Sequence, residues 1–245
     1  GLFLGVAGIK FKVEVDEKEE AVLAVLPGNN CGGCGFAGCS GLAAAIAKGE
    51  AAVNTCPVGG EEVGKKIAAI MGVEAGASER KVAYVHCQGD CDRTKTDYDY
   101  YGIKDCRMMS FVPGGGPKSC NSGCLGFGTC VQVCPFDAIH VENGVAVVDK
   151  EKCKACGKCV EVCPKHLISL RPYSNTVQVA CSSTDKGPVT MKACTTGCVG
   201  CGICVKNCQH DAVKVENFHA VIDPEKCVGC GACMEKCPKK CIVKA

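Results

Sequence analysis

The stretch CKACGKCVEVCP (153–164) decides the fold of this chain, and CVGCGACMEKCP (227–238) repeats its cysteine spacing. In each stretch three cysteines follow one another at every third position, and a fourth stands directly before a proline. Bacterial-type [4Fe–4S] proteins use this spacing, in which three thiolates bind one cluster and the fourth binds its neighbour. A single zinc ion needs only four ligands, usually two separated pairs, so the spacing favours clusters over zinc.

The two stretches belong to a longer repeat with an offset of 74 residues. Eight cysteines of the second copy match eight of the first without a slip, from Cys120 and Cys194 to Cys163 and Cys237. The segments DAIHVENGVAVVDKEKC (137–153) and DAVKVENFHAVIDPEKC (211–227) also match. Each predicts a β-hairpin, and Asn-Gly at 143–144 is a strong two-residue turn signal. We therefore expect two tandem ferredoxin-like modules.

If the last thiolate of each run binds the neighbouring cluster, the two modules together are predicted to contain four metal sites. The predicted ligand sets are Cys120, Cys124, Cys130 and Cys163; Cys134, Cys153, Cys156 and Cys159; Cys198, Cys201, Cys204 and Cys237; and Cys208, Cys227, Cys230 and Cys233. Gln209 stands where a proline is usual, but Cys208 still aligns with Cys134. The departure affects the local loop and leaves the predicted ligands unchanged.

A further set of four cysteines lies upstream of the repeats, in the loop GNNCGGCGFAGCS (28–40) and just after it. The predicted ligands are Cys31, Cys34, Cys39 and Cys56. Glycines between them let backbone amides approach cluster sulfurs and donate hydrogen bonds, which tune the reduction potential. Zinc is the less favoured alternative here too. This set predicts a fifth cluster.

Cys87, Cys91 and Cys106 form a triplet without a fourth ligand of its own. Cys181 and Cys194 are both available, and Cys181 is preferred because it ends a predicted strand, as Cys87 does. A sixth [4Fe–4S] cluster is therefore expected. Six clusters would use all but two of the 26 cysteines. Cys241 and the unused member of the pair are expected to be packed thiols.

The expected fold class is α+β and loop-rich: a small helical iron–sulfur domain followed by the two ferredoxin-like modules. Helices are predicted near 17–26, 41–48 and 61–71, and strands at 81–86 and 176–180. The predicted divisions are 1–12, an anchor remnant; 13–80, the helical domain; 81–118, a connecting segment with extra ligands; 119–172, module 1; 173–193, a linker strand; and 194–245, module 2.

The composition excludes several classes of protein. Cysteine at 26 of 245 residues would suit a disulfide scaffold, but these cysteines are grouped with metal-ligand spacing. A formal net charge of +2 makes no case for nucleic-acid binding. No dinucleotide fingerprint and no P-loop is readable, so no substrate chemistry of its own is expected.

Cluster loading would change the charge of the protein. An oxidised cluster with four thiolates carries a net charge of about −2, so six would move the formal charge from +2 to about −10. A basic group remains near the last cysteines: Lys236, Lys239, Lys240 and Lys244. It either steers an acidic electron carrier or compensates cluster charge locally. The sequence leaves both interpretations open.

The amino end, GLFLGVAGI (1–9), is apolar and is followed by Lys10 and Lys12. Nine residues are too few to cross a bilayer, which takes about 20. An apolar stub with a basic flank is typical of the end of a spanning helix. A buried strand is the alternative. We expect a membrane helix upstream of residue 1.

Together these motifs resemble the B subunit of the Rnf complex, a membrane-bound ferredoxin:NAD oxidoreductase that pumps ions. The resemblance rests on LPGNNCGGCGFAGC (26–39) and on GCLGFGTCVQVCPFDAI (123–139) with its later copy, and it covers nearly the whole chain. VHCQGDC (85–91) and ACSSTDKGP (180–188) resemble the clostridial type of this protein, which implies an anaerobe.

The resemblance implies an electron-transfer subunit of a translocating oxidoreductase at the cytoplasmic face of a bacterial cell membrane. It implies electrons from soluble reduced ferredoxin, and partner subunits with iron–sulfur and flavin centres. The alternative is a soluble polyferredoxin subunit of a bifurcating or dehydrogenase complex. A metal-storage or structural zinc protein is a third possibility, which the colour and metal content of the protein would test.

Overall fold

The computed structural model describes residues 16–76 and 79–244. The chain divides into two compact units, Gly1–Ser78 and Glu79–Ala245. The predicted anchor remnant at 1–12 lies outside the described residues. No helix within the described ranges combines the length and apolar character needed to cross a bilayer.

Residues 16–76 of the first unit contain three helices: α1 (Glu17–Val25), α2 (Cys39–Ala47) and α3 (Gly60–Met71). They confirm the helices predicted from the sequence. Asp16 caps α1 by accepting a hydrogen bond from the Lys18 amide, and Gly72 ends α3 in the left-handed conformation that glycine adopts freely. The helices pack around a small apolar core of Val22, Leu26, Leu42, Ala43, Ile46, Cys56 and Ile67.

The second unit is built from four two-stranded antiparallel sheets and short helices. The strands are β1 (Lys81–Val85), β2 (Ile139–Glu142), β3 (Val145–Val148), β4 (Ile168–Pro172), β5 (Val177–Val179), β6 (Val213–Glu216), β7 (His219–Ile222) and β8 (Ile242–Lys244). The helices are α4 (Thr129–Gln132), α5 (Lys158–Glu161), α6 (Gly187–Ala193), α7 (Ile203–Lys206) and α8 (Ala232–Glu235). Two 3₁₀ segments, Cys106–Phe111 and Pro113–Gly115, lie between β1 and α4.

Strand pairing follows the repeat. β2 pairs with β3 and β6 with β7, which confirms both predicted hairpins. β1 pairs with β4, and β5 pairs with β8. Each module is therefore closed by a strand that precedes its cysteine runs. Residues 81–85 and 177–179, placed by the sequence in a connecting segment and a linker, are structural parts of the two modules because each supplies the partner strand of a sheet.

His86 joins the two modules. One ring nitrogen lies 3.0 Å from the Val179 carbonyl oxygen of β5, and the other lies 2.7 Å from Ser169 Oγ of β4. Burial lowers the pKa of this imidazole. Backbone bonds continue the junction, from the Gln88 amide to the Ala180 carbonyl and from the Ala180 amide to the Cys241 carbonyl. The carboxyl ends of the strands that precede the two modules therefore meet at this junction.

Gly126 and Gly200 occupy equivalent positions in the repeat and lie against the turns of the two hairpins. Both have positive φ, +76° and +65°. A Cβ atom at Gly126 would clash with the Gly144 carbonyl oxygen, and one at Gly200 would lie 2.8 Å from that of Phe218. These glycines let each cysteine loop rest on its hairpin backbone.

We predict that Gly126→Ala destabilises the second unit by about 2 kcal/mol, since it adds a backbone clash to the strain of positive φ. The far-UV melting temperature of anaerobic holoprotein should fall by about 4–8 °C. Gly114→Ala is the matched control, because Gly114 has φ +68° and no atom within 4 Å of the place that a Cβ would take. Equal destabilisation by the two variants would contradict the close-contact explanation.

Candidate metal centres

Short helices and strands position the cysteines of the second unit. Each of α4, α5, α7 and α8 follows a glycine in the left-handed conformation: Gly128, Gly157, Gly202 and Gly231. Each helix carries one cysteine of its motif, so the glycine turn and the helix together bring close cysteines around a common point. Four of the resulting sets of cysteines each line a pocket. We number the candidate sites 1 to 6.

Site 1 lies in the first unit. The Cys56 thiol accepts a hydrogen bond from the Gly59 amide at 3.4 Å. Burial raises the pKa of Cys56, and the neighbouring Cys34 and Cys39 add to the effect. The Asn30 side chain accepts from the Cys39 amide at 2.8 Å and so holds the cysteine loop against the start of α2. The loop also carries Cys31, the fourth predicted ligand.

Sites 2, 5 and 6 bring together the same cysteines that the spacing predicts. The walls of two pockets contain Cys134, Cys153, Cys156 and Cys159 (site 2), and Cys198, Cys201, Cys204 and Cys237 (site 5). Cys208, Cys227 and Cys230 surround Cys233, whose pKa is raised by burial and then by these neighbours. These four cysteines form site 6.

The remaining cysteines are grouped differently from the sequence prediction. One pocket contains Cys106, Cys124, Cys130 and Cys163 (site 3). Another contains Cys87, Cys120, Cys181 and Cys194 (site 4). Cys106 therefore stands where the spacing places Cys120, and Cys181 and Cys194 lie at the same pocket instead of being alternatives. The physical reason is that β1 and β5 end side by side at site 4, whereas the 3₁₀ segment that begins at Cys106 reaches back to α4, where the Cys106 amide donates to Thr129 Oγ1 at 2.9 Å.

Cys91 is not part of either pocket. Its thiol is exposed, and its amide donates to the Asn143 carbonyl at 2.9 Å, at the turn of the first hairpin. Cys241 is buried, and its Sγ lies 3.6 Å from Cys237 Sγ at the wall of site 5. Its thiol donates a hydrogen bond that lowers the pKa of Cys198. Cys91 therefore lines neither the pocket of site 3 nor that of site 4, and Cys241 is a fifth cysteine at the pocket of site 5.

Site 4 has an internal symmetry that is present in the sequence but absent from the spacing-based prediction. Cys120 and Cys194 are equivalent in the repeat, and Cys87 and Cys181 each follow the closing strand of a module. The site thus combines one such pair from each module. The Cys124 amide donates to Cys87 Sγ at 3.4 Å, and its equivalent, the Cys198 amide, donates to Cys181 Sγ at 3.2 Å. The repeat offset of 74 residues pairs Cys120 with Cys194 but not Cys87 with Cys181, which are 94 residues apart; the strand before each of the latter two is the signal that could have added them.

The thiols are buried and close to one another. Burial, followed by neighbouring cysteines, raises the pKa of Cys130 and of Cys159 to about 12. Burial raises the pKa of Cys120 and of Cys181 to about 11. Several thiolates can share such surroundings only if cations compensate their charge, and iron ions bound to the sulfurs would supply that positive charge. The donor set, four thiols around each pocket, fits a [4Fe–4S] cluster.

Backbone amides are also directed at the sulfurs. The Ala83 amide donates to Cys153 Sγ and the Ala220 amide to Cys198 Sγ, both at 3.3 Å, and the Leu167 amide donates to Cys163 Sγ at 3.4 Å. Such hydrogen bonds stabilise negative charge on thiolates and influence cluster potentials. Within residues 16–76 and 79–244, no three histidine, cysteine or carboxylate side chains form a site for a single metal ion.

Family models match three parts of the chain: a putative Fe-S cluster at residues 26–58, a 4Fe-4S dicluster domain at 152–212 and 197–241, and an LdpA Fe-S cluster-binding domain at 116–174. All three describe iron–sulfur binding. Their ranges include sites 1, 2, 5 and 6, and they do not cover Cys87 and Cys106.

Three curated proteins are similar over most of the chain. The B subunit of the Na(+)-translocating ferredoxin:NAD(+) oxidoreductase complex of Acetobacterium woodii is 50% identical over 99% of this chain and 73% of its own length. The B subunit of an ion-translocating oxidoreductase complex of Methanosarcina acetivorans is 44% identical, with 99% and 92% covered. A proton-translocating counterpart from Clostridium ljungdahlii is 44% identical, with 91% and 79% covered. The chain therefore belongs to the family of B subunits of Rnf-type ion-translocating oxidoreductase complexes.

Proposed function

We propose that sites 1 to 6 each bind one [4Fe–4S] cluster. At sites 2 to 5, four cysteines that line a shared pocket, several with backbone amides directed at their sulfurs, support this assignment, and the cysteine spacing supports it at sites 1 and 6. Each bound cluster would accept and release one electron at a time. The chain itself supplies the ligands, excludes water from most of the sulfurs and stabilises negative charge on them.

The ligands of sites 3 and 4 follow the pockets. Cys106, Cys124, Cys130 and Cys163 hold the cluster of site 3, and Cys87, Cys120, Cys181 and Cys194 hold that of site 4. Charge interactions between the cysteines support this division. Cys106 and Cys163 raise the pKa of Cys130, and Cys87 and Cys194 raise the pKa of Cys120. Cys91 and Cys241 remain thiols.

The single observation that carries the function is that candidate sites 2 to 5 adjoin one another in series. The Cys130 thiol of site 3 is close enough to Cys159 of site 2 to raise its pKa. Amide-to-sulfur bonds then link site 3 to site 4, through Cys124 and Cys87, and site 4 to site 5, through Cys198 and Cys181. Site 6 is expected to adjoin site 5 as site 2 adjoins site 3, because α7 and α8 pack together as α4 and α5 do.

Clusters in such a series pass electrons between the two modules without a diffusing carrier. We propose that this chain relays electrons from reduced soluble ferredoxin to the membrane subunits of an ion-translocating oxidoreductase. The relatives from Acetobacterium woodii and Clostridium ljungdahlii, which are B subunits of ferredoxin:NAD(+) oxidoreductase complexes, support this role. An ion-translocating complex works across a membrane, so we place the chain at the membrane with its partner subunits.

Site 6 is the proposed point of electron entry. The Cys230 thiol is exposed, and Val228 nearby is 63% exposed. Lys236, which directly follows α8, is exposed as well, and Lys240 and Lys244 are two further exposed lysines of the basic group along the chain. Positive charge next to an accessible cluster suits an acidic carrier protein, which it would attract and orient.

Two alanine variants test the ligands of site 4. Cys194→Ala should lower the iron content by about four ions per chain and remove one spin-resonance signal on reduction, since one cluster loses a ligand. Cys91→Ala should leave iron content and signals unchanged, because Cys91 is exposed and lines neither the pocket of site 3 nor that of site 4. Iron loss in Cys91→Ala with full iron in Cys194→Ala would restore the grouping predicted from spacing and exclude ours.

Charge reversal tests the docking of ferredoxin. Changing Lys236, Lys240 and Lys244 together to Glu should slow the second-order reduction of the holoprotein by an acidic ferredoxin about tenfold or more at low salt. The difference from the unmodified protein should shrink as salt is added. The control is the same reversal at three other exposed lysines: Lys48, Lys95 and Lys104. An equal slowing in both triple variants would show that the net charge of the protein matters and not this surface, and would contradict the proposed docking site.

A further inference from the structure

Lys118 is a buried cation between sites 3 and 4. Only 8% of the residue is exposed. Its Nζ donates hydrogen bonds to the Gly144 carbonyl at 2.7 Å and to the Gly89 carbonyl at 2.9 Å. Both acceptors are neutral, so they orient the ammonium group without balancing its charge.

The two carbonyls place the charge beside both pockets. Gly89 lines site 4, and its amide donates to Cys87 Sγ at 3.3 Å. Gly144 is packed against Gly126, which lines site 3 close to Cys124. The positive charge of Lys118 also favours the thiolate forms of Cys87 and Cys124, lowering the pKa of each against the larger effect of burial. One ammonium group therefore acts on a ligand of each site.

The carboxylates of this region have other partners. Asp90 forms an ion pair with Arg93 at 3.5 Å, and Asp92 accepts from the Asn143 amide group at 2.8 Å. The ion pairs found among residues 16–76 and 79–244 do not include Lys118. A buried charge without a counter-charge is strongly disfavoured. Two anionic clusters on either side would provide the missing negative charge.

The repeat offers a contrast. Lys192 is the equivalent residue of the second copy, two positions before Cys194 as Lys118 is two positions before Cys120. Lys192 is exposed, near the end of α6, where water screens its charge. The first module thus has a buried positive charge, Lys118, at a position where the second module has an exposed one, Lys192.

We propose that Lys118 is a tuning residue that raises the reduction potentials of the clusters at sites 3 and 4. This inference rests on the proposed function, since it requires clusters at both sites. A cluster held at either site would gain one unit of negative charge on accepting an electron, and no bond would form or break. A fixed positive charge in a poorly solvated position stabilises the more negative, reduced form.

Neutral variants of the full holoprotein test this proposal. Lys118→Gln keeps amide donors for the two carbonyls and removes the charge, and Lys118→Met removes both. In anaerobic redox titrations followed by spin resonance, two cluster couples should become about tenfold harder to reduce, which is about 59 mV for a one-electron couple. Lys192→Met, the matched control, should leave every couple unchanged, and Lys118→Arg should retain the potentials of the unmodified protein.

The outcomes separate this proposal from the proposed function. Unchanged couples in an iron-replete Lys118→Gln or Lys118→Met protein would overturn the tuning role while leaving the relay intact. An equal shift in Lys192→Met would overturn it as well, and iron loss in both neutral variants would make Lys118 a structural residue instead. An unmodified protein that shows no cluster couples at all would contradict the proposed function itself.

Discussion

The structure depends on one interaction, the bond between iron and a cysteine thiolate. The two modules contain little that would hold them together otherwise: their sheets have two strands each, several of their helices have four residues, and the chain has no tryptophan. Apolar burial in so small a core contributes little. Ligand bonds that join distant parts of the chain would supply the missing stability, because cluster binding is itself folding free energy.

Site 4 shows how local repetition becomes a connection between modules. A single module offers two of its cysteines, one after a closing strand and one at the start of a loop. Two modules in tandem bring two such pairs together, so a candidate metal site lies at the junction. The junction is also where His86 joins β4 to β5. The relay and the packing of the modules therefore depend on the same contact surface, and a change that separates the modules would interrupt both.

Much of this architecture is readable from sequence. The repeat of 74 residues predicts both hairpins, and the short-range spacing groups the cysteines of sites 2, 5 and 6 as the structure does. The limits appear where a group depends on long-range packing. Cys106 and Cys120 both precede the other cysteines of the first module. Only the path of the chain between β1 and α4 determines which of them lies at site 3 and which at site 4. The burial of Lys118 is equally hidden, since its repeat equivalent Lys192 is exposed. Site ligands and the buried charge thus need tertiary structure, whereas module type does not.

The most direct measurement is hydrogen exchange on the second unit of the full chain, before and after anaerobic removal of iron by chelation. Our account predicts that amides of β1, β4, β5 and β8 lose their protection together with the iron, because the sheets cannot persist without the ligand bonds. It also predicts that reconstitution with iron and sulfide restores protection. Sheets that stay protected in iron-free protein would contradict the claim that metal–thiolate bonds hold this fold together.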